Sequence, residues 1–202
     1  MQLIHMQAAQ GVRHIVATPH FRRHEQSVAH FLEKRQAAYE TVMANAFDGM
    51  PDIALAAEVA LEHNLCETEG LALLANSHNN TLLLELPLFD RYHKWMSEEI
   101  EEVAYRTKMQ IIIAHLDRYV DLYDKKDYNE LLSLPDVIFQ CNLSAFERFK
   151  SRKLVKQLIK DEQPLLFGTD CHNLTSRKPN FDLLAKNLKH YEPSVLVQQL
   201  PD

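Results

Sequence analysis

The sequence predicts an α/β domain of repeated parallel strand–helix units, and three observations carry that prediction. Six apolar stretches have the length and composition of buried strands. The segments between them show helical periodicity. Strands such as QIIIA and TLLL are continuously β-branched or leucine-rich, as expected of a parallel sheet covered on its outer face. Such units suit a barrel-like parallel fold with its site on one face, and a doubly wound open sheet is the alternative.

The elements follow in chain order. Met1–Gln10 carries Leu3, Ile4, Met6 and Ala8 and forms a short helix closed by Gly11. Strand Arg13–Thr18 leads to helix Glu25–Ala46, whose stripe holds Val28, Phe31, Leu32, Tyr39, Val42 and Met43. Strand Ile53–Ala57 precedes a helix over Glu67–Asn76, with an acidic start and Leu71 and Leu74 in step. Strand Thr81–Leu84 leads to helix Tyr92–Thr107, carrying Trp95, Ile100 and Val103. Strands Gln110–Ala114, Val137–Cys141 and Leu165–Thr169 alternate with helices Lys126–Leu134, Ser151–Lys160 and Pro179–Lys189. Pro51, Pro87, Pro135, Pro164 and Pro179 fall between or at the edges of these elements.

At 202 residues the chain fits one domain with a substantial core. Its net charge of −6 argues against nucleic acid as a partner, since phosphate backbones call for a basic face. Cys66, Cys141 and Cys171 form no CxxC pair, which suits a reducing, cytoplasmic setting better than a disulfide scaffold. No apolar run approaches the roughly 20 residues of a membrane span, and Met1–Gln10 lacks the basic start and apolar core of a signal peptide. With no GxGxxG or GxxxxGK[ST], dinucleotide and P-loop folds are disfavoured. GxSxG is missing too, leaving covalent acyl chemistry without a vehicle.

Each apolar stretch runs into a residue able to hold a metal ion or a phosphate. These are His20 in HIVATPH, Glu58 in IALAAE, Glu85 in LLLEL, His115 in IIIAH, Asn142 in VIFQCN and Asp170 in GTDCH. Parallel α/β folds bind ligands at the carboxyl ends of their strands, so residues in this register point to one polynuclear site. His172, two residues past Asp170, can join it; mixed N and O donors suit Mn²⁺, Fe or Zn²⁺. Glu58 and Glu85 continue buried strands, where a carboxylate is costly unless a cation or hydrogen bonds compensate it. Arg118 lies in the loop after His115 with the shape to grip a phosphate, and Arg22 and Arg23 stand near the same mouth. Asn142 supplies a polar floor or a substrate contact.

Singly, each residue admits a plainer reading: Asp170 as a turn cap, Asp117–Arg118 as a surface pair, Arg22–Arg23 as a solvated pair, and either glutamate as an edge residue facing water. His5, His14, His24, His30, His63, His78, His93 and His190 fall in helices or loops outside the register, and Cys141 reads as core.

Taken together and in order, ATPHF, AAE, LLLELP, IIAHLDRY, QCNLSAF and GTDCHN resemble the PHP (polymerase and histidinol phosphatase) superfamily. Within it they are most similar to the manganese-dependent protein-tyrosine phosphatases of Gram-positive capsule and exopolysaccharide operons. The similarity runs from about Gly11 to about Leu188. It implies a single domain with a distorted (β/α)7 barrel holding two to three metal ions, commonly Mn²⁺, with Fe or Zn²⁺ as alternatives. By the same resemblance His20, Glu58, Glu85, His115, Asp170 and His172 would ligate metal, with Glu58 bridging. Arg118 and His115 would be catalytic, and Arg118, Arg22 and Asn142 would contact substrate. Metal-bound hydroxide would attack phosphorus directly, and the partner would be the phosphotyrosine tail of a bacterial tyrosine kinase.

The family opens with a strand bearing a His-x-His pair, which this sequence lacks, and the closing helix ends early at Gln198–Asp202. The expectation is a barrel without its first strand, with the Arg13–Thr18 edge open to pairing with a second copy. Two further functional readings follow: a remnant that binds phosphopeptide or self-associates without turnover, and hydrolysis of histidinol phosphate or another small phosphomonoester.

Overall fold

The computed structural model describes residues 1–89 and 91–188. Helix α1 (Gln2–Ala9) leads through Gly11, whose φ of 84° lies in the left-handed region that glycine tolerates, into β1 (His14–Ala17). Strand β2 (His20–Phe21) follows, then α2 (Val28–Met43), β3 (Asp52–Leu55) and β4 (Glu58–Ala60). The rest of the chain alternates β5 (Thr81–Glu85), α3 (Lys94–Thr107), β6 (Gln110–Ile113), α4 (Lys125–Leu132), β7 (Val137–Asn142), α5 (Phe149–Lys160), β8 (Leu165–Gly168) and α6 (Asp182–Leu188). Lys189, His190 and the closing helix expected near Gln198–Asp202 lie outside the described residues.

All strand pairs are parallel. β2-β4-β5-β6-β7-β8 form one sheet in chain order, and β1 pairs with β3 just before it. Chain-order succession is the order of a barrel wall. Among the described residues, however, no ladder joins β8 to β1 or β2, so the sheet is open. The end of helix α1 reaches the loop before α6 instead. The Gln10 side chain donates to the Pro179 carbonyl at 3.1 Å and accepts from the Phe181 N–H at 2.8 Å. These bonds tie the first helix to the loop before the last.

Register and strand pleat sort the side chains into two faces. Val59, Leu82, Leu84, Ile111, Ile113, Phe139, Cys141 and Leu165 are fully buried against the helices. Ile100, Val103, Leu131, Val155 and Leu158 face them from α3, α4 and α5. The inner face carries Leu83, Ile112, Ile138 and Leu166 as an apolar floor. His20, Glu58, Glu85, Gln140 and Asn142 continue that face toward the carboxyl end.

Four expectations need correction. Glu67–Asn76 is not an α-helix but two 3-10 turns, Leu65–Glu67 and Leu71–Leu74. Each follows a left-handed residue, Asn64 and Gly70, and Gly70 interrupts the helical path from the inside. Strand Arg13–Thr18 is shorter and resumes after Pro19, and Ile53–Ala57 likewise breaks at Ala56–Ala57, so His20 and Glu58 open new strand segments rather than ending old ones. Only Val28 and Phe31 of the α2 stripe are buried. Val42 and Tyr39 instead line a cavity of about 490 Å³ between α2, α1 and the β1–β3 pair. Lastly, His14 lies in β1, where its Nδ1 faces Asp52 at 3.3 Å.

Candidate metal centre

The breaks in β1–β2 and β3–β4 build the first half of the site. Pro19 has no N–H for a ladder, but its carbonyl accepts from Glu58 N at 3.1 Å. That bond sets His20 and Glu58 as register partners on the inner face, with His20 Nδ1 at 3.0 Å from Glu58 Oε1. Glu85, the last residue of β5, is in register with Ala60 of β4 and so shares that face. Beyond β6 the chain turns left-handed at His115 (φ 33°) and enters the 3-10 turn Leu116–Asp121, which returns Arg118 over the strand end.

His115 is the hub. Its Nε2 lies 3.4 Å from Glu58 Oε1, 3.3 Å from Glu85 Oε1 and 3.3 Å from the Arg118 guanidinium. Burial opposes charge on this imidazole, yet the hydrogen bonds to Glu58 and Glu85 outweigh it and raise its pKa. The His115 bond, against the opposing effect of burial, lowers the pKa of Glu85. Glu58 is 6% exposed and His115 only 1%. Two carboxylates and two imidazoles thus converge in a recess that is buried at Glu58 and His115 and open to solvent at His20.

The donor set fits a divalent cation. One ligand atom each from His20, Glu58 and Glu85 lies within 4.8 Å of the others, and His115 adjoins both glutamates. Among the described residues His115 Nδ1 is buried without a hydrogen-bond partner, while its Nε2 is the nitrogen turned toward both glutamates. Mixed imidazole and carboxylate donors suit Mn²⁺, Fe or Zn²⁺.

The second half of the site is arranged differently. Asp170, left-handed at φ 47°, accepts from both Arg118 and Arg177 and lies 3.5 Å from Asn142 Nδ2. Its carboxylate is therefore matched by two guanidiniums. His172 reaches back to β2, with Nε2 at 3.3 Å from His20 Nε2. All six residues expected as ligands are thus gathered at one end of the sheet, in two linked groups. Arg118 bridges them through Glu85 and Asp170.

Of the expected substrate contacts, Arg118 and Asn142 stand in this network. Arg22 is exposed and pairs with Glu25 at 3.1 Å, with no bond to the cluster among the described residues. Sequence reasoning missed three residues. Arg177 returns to Asp170 because Asn173 Oδ1 accepts from the Thr175 and Arg177 N–H groups and folds the loop back. An Asn followed by Thr and Ser just past a strand end was the available signal. Asp117 is no surface residue: it is 4% exposed and accepts from Asn142 N at 2.7 Å. Gln140 accepts from His115 N, and its Nε2 donates to Asn142 Oδ1 at 3.2 Å.

A parallel α/β sheet with a carboxylate–imidazole cluster at its carboxyl end, flanked by paired arginines, defines the class as that of a candidate metal-dependent α/β protein. Residues 1–200 match the family described as capsular polysaccharide synthesis, CpsB/CapC, and the chain belongs to that family. A solved structure in the work on YwqE from Bacillus subtilis and CpsB from Streptococcus pneumoniae, described as unique metal-dependent tyrosine phosphatases, shares the fold. The TM-score is 0.73 at 16% identity, over 94% of this chain and 79% of that one. No curated protein sequence matches significantly.

Proposed function

We propose that this protein is a metal-dependent phosphatase that removes phosphate from tyrosine side chains of a partner protein. The observation that carries the reading is the hub itself: His115 is shared by Glu58 and Glu85 on one side and touches Arg118 on the other. Cation ligands and anion donors meet there within one recess, as hydrolysis of a phosphomonoester needs. Membership of a capsule-synthesis family, and the description of the structural relatives as tyrosine phosphatases, support the same reaction.

His20, Glu58, Glu85 and His115 would hold the metal, with Mn²⁺ the first candidate and Asp170 and His172 completing a site for two or three ions. A divalent cation held by these residues would supply charge to polarise a phosphoryl oxygen and to lower the pKa of a water molecule. Arg118 and Arg177 have more N–H donors than Asp170 engages, so each can also grip a phosphoryl oxygen. Asp170 keeps the two like charges together in the absence of substrate. Tyrosine oxygen, with a pKa of about 10, departs more readily than an alkoxide, which suits a site dominated by charge stabilisation.

On the carboxyl side of the sheet, the loops after β5 and β8 expose Leu88, Phe89 and Leu174, and Phe149 is exposed at the start of α5. Exposed apolar side chains on the side of the sheet that carries an anion site favour an aryl phosphate on a peptide over a small polar phosphomonoester. The partner in this reading is the tyrosine-phosphorylated tail of a kinase governing polysaccharide assembly, met in the cytoplasm. No described helix is long and apolar enough to cross a membrane.

The test is hydrolysis of p-nitrophenyl phosphate and of a tyrosine-phosphorylated peptide by the Mn²⁺-loaded protein. Turnover that EDTA abolishes, and that His115→Ala and Arg118→Ala lose, is expected. A metal-loaded protein no faster than those variants would overturn the reading.

A further inference from the structure

We propose that Gln140 is a positioning residue for His115, and that residue 168 is glycine to leave room for it. Only its effect on turnover rests on the phosphatase reading. The last ladder rung of β6 is the bond from Ala114 N to Leu84 O at 2.8 Å. One residue later His115 is left-handed, a conformation that a side chain bearing a Cβ adopts only when its surroundings impose it. Among the described residues its N–H meets no backbone carbonyl but the Gln140 side-chain oxygen, reaching across from β7. An acceptor placed there fixes the turn that aims the imidazole at Glu58 and Glu85.

The other end of the same amide is also used. Gln140 Nε2 donates to Asn142 Oδ1 at 3.2 Å, and Asn142 Nδ2 lies 3.5 Å from Asp170 Oδ2. One side chain therefore connects the His115 half of the centre to the Asp170 half. A Cβ built on Gly168 would stand 2.8 Å from Gln140 Nε2 and 3.5 Å from its Cδ. Real Cβ atoms do not approach so closely, so any larger residue at 168 would displace this amide. Gln140 acts through His115, much as supporting partners orient ligands in metal sites.

The test compares Gln140→Met, which keeps the length but removes the acceptor, with Gln140→Glu, which keeps an acceptor for His115 N–H. Backbone hydrogen exchange at His115 should quicken by about tenfold or more in Gln140→Met, the scale of losing a buried hydrogen bond. The Phe139 amide on β7 should stay protected. Mn²⁺ affinity should weaken by about tenfold or more, with kcat falling while KM stays near wild type. Gln140→Glu should sit closer to wild type than to Gln140→Met in the exchange readout. Gly168→Ala should reproduce the Gln140→Met exchange phenotype and add little to it in the double variant.

Folded Gln140→Met with unchanged His115 exchange would overturn the proposal, as would Gln140→Glu exchanging as fast as Gln140→Met. Should Gln140→Met fail to fold, Gly168→Ala and Gln140→Glu give the same exchange readout. If the wild-type protein binds Mn²⁺ but hydrolyses no phosphoester, the phosphatase reading fails. His115 exchange and Mn²⁺ affinity then decide the role of Gln140 on their own.

Discussion

His172 and His20 lie 152 positions apart in the chain, and their Nε2 atoms stand 3.3 Å from each other. Strand β2 and the loop after the last strand therefore meet at the site, although no ladder joins the ends of the sheet among the described residues. Gln10, bound to Pro179 and Phe181, holds the approach from below. In the proposed metal site these two imidazoles would share an ion through the facing nitrogens. His20→Ala and His172→Ala should each weaken Mn²⁺ binding by about tenfold or more. Because the rings touch, the double variant should lose less than the two losses combined. Calorimetric titration checks this, and unchanged affinity in both single variants would refute it.

Arg118 and Arg177 share Asp170, so the predicted effect of each is on anion binding. A hydrogen bond to a charged group contributes about 1.5–3 kcal/mol. Arg177→Ala should therefore cut kcat/KM for p-nitrophenyl phosphate by roughly ten- to a hundredfold. Arg118→Ala should cost at least as much, since it also contacts His115. Steady-state kinetics at saturating Mn²⁺ give the answer, and an Arg177→Ala enzyme with wild-type kcat/KM would remove Arg177 from the site.

The His115–Glu85 pair gives the metal-free protein a pH signature. His115 has a raised pKa, so its contribution is fully present below the ordinary histidine value of 6.5 and is lost as pH rises through the raised one. Glu85 has a lowered pKa, so its contribution is present above the ordinary value of 4.5 and is lost as pH falls through the lowered one. The pair stabilises most between pH 4.5 and 6.5. In EDTA, Tm should be higher near about pH 5.5 than near about pH 8.5, and His115→Gln should shrink the difference. Mn²⁺ should favour the opposite direction, because ligation requires neutral imidazole.

Asp117 is a purely structural test. Burial raises its pKa, and its carboxylate accepts the N–H of Asn142 inside the fold. Asp117→Ala should destabilise by about 1–3 kcal/mol by leaving that N–H unpaired. Asp117→Asn, which keeps an oxygen there, should recover much of the loss. Urea unfolding measures both, and equal stability of all three proteins would show that water replaces the carboxylate.

The strand set was legible because parallel strands buried on both faces must be continuously apolar, as in QIIIA and TLLL, and five of the six were located to within one residue at their carboxyl ends. His20, Glu58, Glu85, His115 and Asp170 were legible for the same reason: a polar residue ending such a run stands out against it. Glu67–Asn76 was misread because its leucines have helical spacing, while Gly70 in the left-handed region interrupts the path. The sparse burial of α2 was equally hidden, since amphipathic spacing says which face is apolar and not how closely anything packs on it.

What the chain determined by itself is the order of the strands and the identity of the residues at their ends, because burial and pleat act locally on composition. Tertiary structure alone decided which of those residues touch. The pairing of Asp170 with Arg118 and Arg177, the burial of Asp117 and the Gln140 bond to His115 depend on register between strands and on loops that fold back. Those contacts join positions distant in sequence, and no local pattern records a distance across the sheet.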